Sequence, residues 1–486
     1  MNKSCKKLPS PLLSSVPIII LVCLLFVTIR TFGGDALTGG SQIVLLTATA
    51  VTSMLAICFC KVKWESIERA ICQNILGVAT AIIILLLIGA LSGSWMVSGI
   101  VPTMIYYGMQ IIHPSFFLAT SCIICAVVSI MTGSSWTTIA TIGVALMGIG
   151  EAQGFPTGWV AGAIISGAYF GDKVSPLSDT TVLASSVTNT PLFTHIRYMS
   201  YTTIPSLIIT LVLFVVMGFT NTSSSPSQIG EYANSLKDTF FISPWLLVVP
   251  IITAFLIAKK VPSLITLFAS SVMAGICAVI CQPELLQQIA GPEVTGGTAL
   301  FKGTFITYYG STCIETGNAS LNELVMTRGM AGMLSTIWLI ICAMCFGGSM
   351  QASGMLESLT SLFVRFMKKG LGMVTSTVCS GLFLNLVTAD QYISIILTGN
   401  MFKDVYKKNG YDSCLLSRTT EDAVTVTSVL IPWNSCGMTQ STILGVSTLT
   451  YLPYCFFNLL SPIMSIFVMA IGFKIRRITT PSNENC

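Results

Sequence analysis

Long apolar runs alternate with short polar stretches along the whole chain, and several runs are interrupted near their centres by small or hydroxylated residues. The pattern predicts full membrane crossings near 12–30, 41–60, 71–92, 158–190 and 199–218. A second set follows near 243–258, 261–281, 330–347, 414–447 and 451–473. Each holds an apolar run of roughly 17–25 residues, or a broken version of one. The two halves also share phrases: Gly-Ser-x-x-x-Ser-Gly at 93–99 recurs at 348–354, and Thr132–Trp136 is answered by Thr388–Tyr392. Repetition across two halves, with polar breaks inside apolar segments, points to a secondary transporter with its site where the broken helices meet.

Of 486 residues, 53% are hydrophobic and 9% charged, against about 25% charged in soluble domains. Most of the chain therefore faces lipid or its own interior. The net charge of +5 is no sign of nucleic-acid binding, because the basic residues flank apolar runs as topology signals do. The 17 cysteines read as small buried hydrophobes rather than a disulfide framework or metal site. Residues Leu12–Ile29, closed by Arg30, read as a retained first span and not a cleaved signal.

Charge then assigns sides. Lys3, Lys6 and Lys7 place the N-terminus in the cytoplasm, and Lys61, Lys63, Arg69, His195, Arg197, Lys259, Lys260, Lys474, Arg476 and Arg477 agree if each half crosses five times. Under that condition the segments 115–150 and 371–401 are re-entrant hairpins, with the repeated phrases at their tips. Lys403, Lys407, Lys408 and Arg418 then fall inside too. Five crossings per half invert the second half relative to the first. The expected organisation is a first repeat at 1–218, an external linker at 219–242 and a second repeat at 243–486 that carries an external insertion at 282–328. Segments 95–112 and 350–367 read as amphipathic connectors at the interfaces.

Gly171–Thr181 interrupts the fourth crossing with Asp172, Ser175, Pro176, Ser178, Asp179 and Thr180. Proline ends the helix and frees carbonyls in mid-membrane. Carboxylate, hydroxyl and carbonyl oxygens are the ligands a hard cation such as sodium takes. A carboxylate at helix centre costs about 2.5–3.5 kcal/mol on the insertion scale, so it needs a partner or a function. A neighbouring cation for Asp172 and a helix cap for Asp179 are the structural alternatives. The second half answers with Glu421, Asp422, Thr425 and Thr427, then Pro432, Trp433 and Asn434. Glu421 and Asp422 could instead form a surface pair with Arg418. Of the tips, Thr132–Ser135 is neutral, offering Ser134 and Ser135, whereas Thr388–Gln391 brings Asp390 and Gln391. A buried carboxylate can hold either a proton or a sodium ion, which makes Asp390 the leading candidate for linked exchange. Asp172, Asp390 and Asn434 are the sodium-ligand candidates. His113 and His195 read as interface residues. No Walker A, His-Glu-x-x-His or Gly-x-Gly-Asp motif occurs, which argues against a pump or an intramembrane enzyme.

Gly171–Thr181 resembles the signature of the NhaC-type sodium/proton antiporters, within the wider ion-transporter superfamily. So do Asp390-Gln-Tyr-Ile-Ser, Ser417–Asp422, Ile431-Pro-Trp-Asn-Ser-Cys-Gly, Tyr451-Leu-Pro-Tyr, Thr316-Gly-Asn318 and Arg328-Gly. The matches run from about residue 90 to 473. The resemblance implies sodium/proton antiport, or the coupled exchange of small organic anions such as malate and lactate. The chain departs from the family at Val182, where an Asn often follows the two Thr residues.

The expected molecule is an all-α polytopic membrane protein with inverted-topology repeats, two re-entrant hairpins and discontinuous helices. It sits in the cell membrane with both termini cytoplasmic and exchanges sodium for protons by alternating access. The alternative is sodium- or proton-coupled antiport of small organic anions or amino acids. No cofactor is expected beyond the transported ions. The lipid bilayer, Na+, H+ and in the alternative an organic anion are its partners, nucleic acid is not, and a homodimer is left open.

Overall fold

The computed structural model describes residues 8–32, 39–220, 226–259, 261–317, 322, 325–365 and 370–478. Among these the chain is helical, with two isolated β-bridges and no named strand. Eight helices are long and apolar enough to cross a membrane, or up to ten if each bent pair forms one span. The cytoplasmic signal Lys3, Lys6 and Lys7, along with Lys260 and Asn318, lies outside the described residues.

Five of the ten expected crossings are single helices: Pro11–Phe32, Gly40–Cys58, Leu192–Thr220, Ser263–Cys281 and Gly329–Ala352. The third is displaced. The chain breaks at Val78, so an amphipathic helix Trp64–Gly77 precedes the apolar one, Ala79–Val97. Glu65, Glu68 and Arg69 explain the shift, since three charges in one short helix keep it at the polar boundary. The 282–328 stretch is also more than a loose insertion. Its helices Pro283–Ala290 and Gly297–Tyr309 pack on each other, and the second packs on Ala79–Val97.

The interrupted helices are as the polar breaks require. Thr157–Val174 ends before Pro176, and the chain restarts as Asp179–Val187 with Ser178 accepting from the Thr181 N–H at its start. In the second half Ser413–Thr420 runs into a wide π-helical turn over Glu421–Thr425, then a short 3-10 turn at Ser428–Leu430, and restarts as Ser435–Leu444 behind an Asn434 cap. Such π turns recur at functional sites.

Both predicted hairpins are present. Phe117–Thr132 turns at Gly133 into Ser135–Thr138 and onward, and Leu371–Thr388 turns at Ala389 into Gln391–Lys408. Each return arm packs back on its first arm. Each first arm is itself of spanning length. The first hairpin lies against Thr157–Val174 more extensively than any other helix pair. Gly167 and Gly171 allow this, because a Cβ on either would strike the backbone at Cys122 or Ala126.

Candidate functional site

The two tips have the same construction. In the first, Gly133 takes the left-handed conformation at φ 65°, and in the second Ala389 does so at φ 57°. One residue later Ser134 and Asp390 cap the return helices, accepting the N–H of Thr137 at 3.2 Å and of Ile393 at 3.0 Å. The preceding threonines brace each turn: Thr132 Oγ1 donates to the Ser134 carbonyl at 3.1 Å, and Thr388 Oγ1 to that of Asp390 at 3.0 Å. A left-handed alanine is a strained conformation of the kind retained at functional turns.

Asp172 reaches the first tip. Its Oδ2 accepts the backbone N–H of Ser135 at 3.1 Å and the Ser135 hydroxyl at 2.7 Å. Ser175, in the helix break, donates to the Ile130 carbonyl at 2.8 Å and ties the break to the hairpin. A cavity of about 490 Å3 opens beside this contact, lined by Thr132, Ser134, Asp172, Ser178, Asp179, Thr180, Gln391 and Tyr392 among others. Asp172 is buried at its wall, while Asp179 is exposed to the opening. Trp136 faces the same space. Among the described residues, two carboxylates line the cavity and no basic side chain does.

Asp390 sits on the other side of its own tip. Its Oδ2 accepts the Ser435 hydroxyl at 3.3 Å, and the Ser435 N–H donates to the Ala389 carbonyl at 2.8 Å. Asn385 donates to the Val424 carbonyl at 2.7 Å and to Thr427 Oγ1 at 3.1 Å, holding the wide turn to the hairpin. The Asn434 amide donates to the Asn385 carbonyl at 3.0 Å while its oxygen caps the next helix. Gln391 connects the two clusters. It lines the cavity and its Oε1 accepts the Ser428 hydroxyl at 3.3 Å.

A third group joins the halves. Lys173 forms a fully buried ion pair with Asp422, and Thr202 and Ser461 donate to the same carboxylate oxygen at 3.1 and 3.3 Å. Glu421 and Thr425 are buried beside it, and neither Glu421 oxygen has a hydrogen-bond partner among the described residues. A buried pair of this kind is weak evidence for stability, since desolvation offsets the attraction, but loss of one partner is costly.

The structure thus gathers Ser134, Asp172, Asp179, Thr180 and Gln391 around one cavity, with Ser135 bonded to Asp172 at its wall. Asp390 with Asn434 and Asp422 with Glu421 and Thr425 form two further buried groups, and Ser175 braces the hairpin. Three of the structural alternatives are set aside. Asp172 is held by Ser135 rather than by a neighbouring cation, and Ser178 rather than Asp179 supplies the capping oxygen. Glu421 and Asp422 are not a surface pair with Arg418, because all three are buried. His195 is buried, its Nδ1 2.8 Å from Ser417 Oγ. Sequence reasoning missed Lys173, although an ammonium inside an apolar crossing is itself a signal. Thr202 and Ser461 carried no signal, being single hydroxyls in apolar helices.

Comparison with known proteins agrees with these motifs. The model of the Na+/H+ antiporter family matches residues 167–473. The Na(+)/H(+) antiporter NhaC of Bacillus subtilis is 37% identical over 407 residues, 83% of this chain and 87% of that protein. The malate-2H(+)/Na(+)-lactate antiporter of the same organism is 37% identical over 394 residues, 81% of each chain. The Na(+)/H(+) antiporter NhaC of Alkalihalophilus pseudofirmus is 35% identical over 426 residues, 88% of this chain and 89% of that one. This chain therefore belongs to the Na+/H+ antiporter family, and it is a multi-pass membrane transporter rather than an enzyme.

Proposed function

We propose that this chain exchanges sodium ions for protons by alternating access, with sodium entering the cavity beside Asp172. The observation that carries this reading is the cavity's charge: two carboxylates, several hydroxyls, an amide oxygen and no basic group among the described residues. Such a set suits a hard monovalent cation and repels an anion that arrives alone. Asp172 supplies the fixed negative charge, with Ser134, Thr180 and Gln391 as neutral oxygen donors and Asp179 at the opening. Asp390, capping its own tip, is the second carboxylate through which a proton is traded. Asn434 keeps that tip in register.

The matched tips, matched caps at Ser178 and Asn434, and basic residues between spans support two repeats of opposite orientation in the cell membrane, with both termini cytoplasmic. The organic-anion reading has one observation in its favour. About 490 Å3 is more room than a bare ion needs and falls in the range of small-molecule sites. An acid taken there would have to enter with its own cation.

The test is sodium movement in proteoliposomes. An imposed pH gradient drives sodium uptake in the proposed mode, and malate or lactate does not change the rate. Sodium flux that requires an added acid would favour the second reading, and no proton-linked flux with either would defeat both.

A further inference from the structure

The buried ion pair between the halves is incompletely satisfied, and the way it is incomplete has a direction. Asp422 Oδ1 receives Lys173, Thr202 and Ser461, whereas Oδ2 has no hydrogen-bond partner among the described residues. Facing Oδ2 is the Arg418 Nε, 3.9 Å away and one helical turn earlier in the chain. Arg418 is fully buried, and none of its three guanidinium nitrogens has a hydrogen-bond partner among the described residues. The face of the Tyr198 ring lies 4.9 Å from its Cζ. A guanidinium kept in the core with no hydrogen bond among the described residues is costly unless a second arrangement uses its five donors. That arrangement is one short step away. Asp422 is carried by the π-helical turn Glu421–Thr425, while Arg418 sits in the helix just before it, and tightening a π turn to an α turn rotates the residues it carries.

We propose that Asp422 is a shared counter-ion, held by Lys173 in this conformation and by Arg418 in the alternate one. The Lys173–Asp422 contact is then broken and remade once in each transport cycle. Lys173 belongs to the first half and Asp422 to the second, so the exchange of partners registers movement of one half against the other. Arg418 keeps Asp422 compensated while Lys173 is away, which a single ion pair could not do. Both basic residues are positioning residues: neither lines the cavity, and they act on the adjacent Asp172 and on the wide turn. The proposal rests on the exchange reading above.

Two variants test it in proteoliposomes, with sodium binding to the purified protein measured alongside. Arg418→Gln removes the second partner and Lys173→Arg gives the first partner a two-pronged grip that does not yield. Each is expected to cut turnover about tenfold or more with KM for sodium within about twofold of wild type, the signature of a step after binding. Arg418→Lys, which keeps the cation, should recover part of the turnover. If Arg418→Gln does not fold, Lys173→Arg decides. A folded variant of either kind that turns over at the wild-type rate overturns the proposal. A wild-type protein that exchanges nothing overturns the exchange reading instead, so the two failures are distinct.

Discussion

Ser135 grips Asp172 twice, through its backbone N–H at 3.1 Å and its hydroxyl at 2.7 Å, although the two residues lie on different elements of the first half. The contact places a carboxylate from an interrupted helix at the tip of a hairpin, where it forms one wall of the cavity. Hydrogen bonds to a charged group contribute about 1.5–3 kcal/mol. Ser135→Ala removes one of the two and leaves the backbone bond. The expected result is a KM for sodium raised about tenfold with the protein folded, read from initial rates in proteoliposomes. An unchanged KM would mean that the hydroxyl does not orient Asp172.

Asp390 separates charge from structure. It caps the helix Gln391–Lys408 through the Ile393 N–H and accepts from Ser435. Asparagine caps a helix about as well as aspartate, so Asp390→Asn keeps the turn and removes only the titratable charge. Exchange should be abolished while thermal stability changes little. Turnover at the wild-type rate would take Asp390 out of the transport pathway.

Asp179 is exposed in the cavity mouth, at the first turn of Asp179–Val187. Its charge attracts cations from solution without holding them in a buried cage, so salt should screen it. Asp179→Asn is expected to raise KM for sodium by about two- to fivefold at low ionic strength, a difference that fades in concentrated choline chloride, with turnover unchanged. A large loss of turnover would instead place Asp179 among the ion's direct ligands.

The two tips respond differently to a Cβ. At Gly133, φ is 65° and a Cβ would lie 2.6 Å from that of Leu177, so Gly133→Ala has no relaxed position. It should cost about 1–3 kcal/mol and displace the tip from Asp172, seen as a lower melting temperature and weak sodium binding. At Ala389 the Cβ is already accommodated, so Ala389→Gly should fold normally. Equal behaviour of the two variants would show that the tips are not held as described.

The tips and breaks were legible because both depend on local rules: a turn residue, a cap one position later, and a proline. Repetition of those phrases in the two halves told that the tips correspond. Asp172 as a site residue followed from the cost of a carboxylate among apolar neighbours. Its attachment to Ser135 did not, since nothing local to either residue sets which hydroxyl the carboxylate meets. Lys173 was overlooked beside Asp172 for a related reason. Neighbours in a helix point about 100° apart, and Lys173 turns to Asp422 while Asp172 turns to the tip. The surface alternative for Arg418 came from Ser417, Thr419 and Thr420, which look solvent-exposed in sequence, whereas the structure buries all four. The early start expected for the third crossing arose from reading Ile71 and the apolar residues after it as one run, past the break at Val78.

Equilibrium binding of radioactive sodium to purified protein, wild type against Asp172→Asn, tests the central claim most directly. One saturable sodium per chain in the wild type, displaced as the solution is acidified and absent from a folded Asp172→Asn variant, is the predicted result. Sodium binding that survives in that variant with unchanged affinity would contradict the assignment of the ion to this cavity.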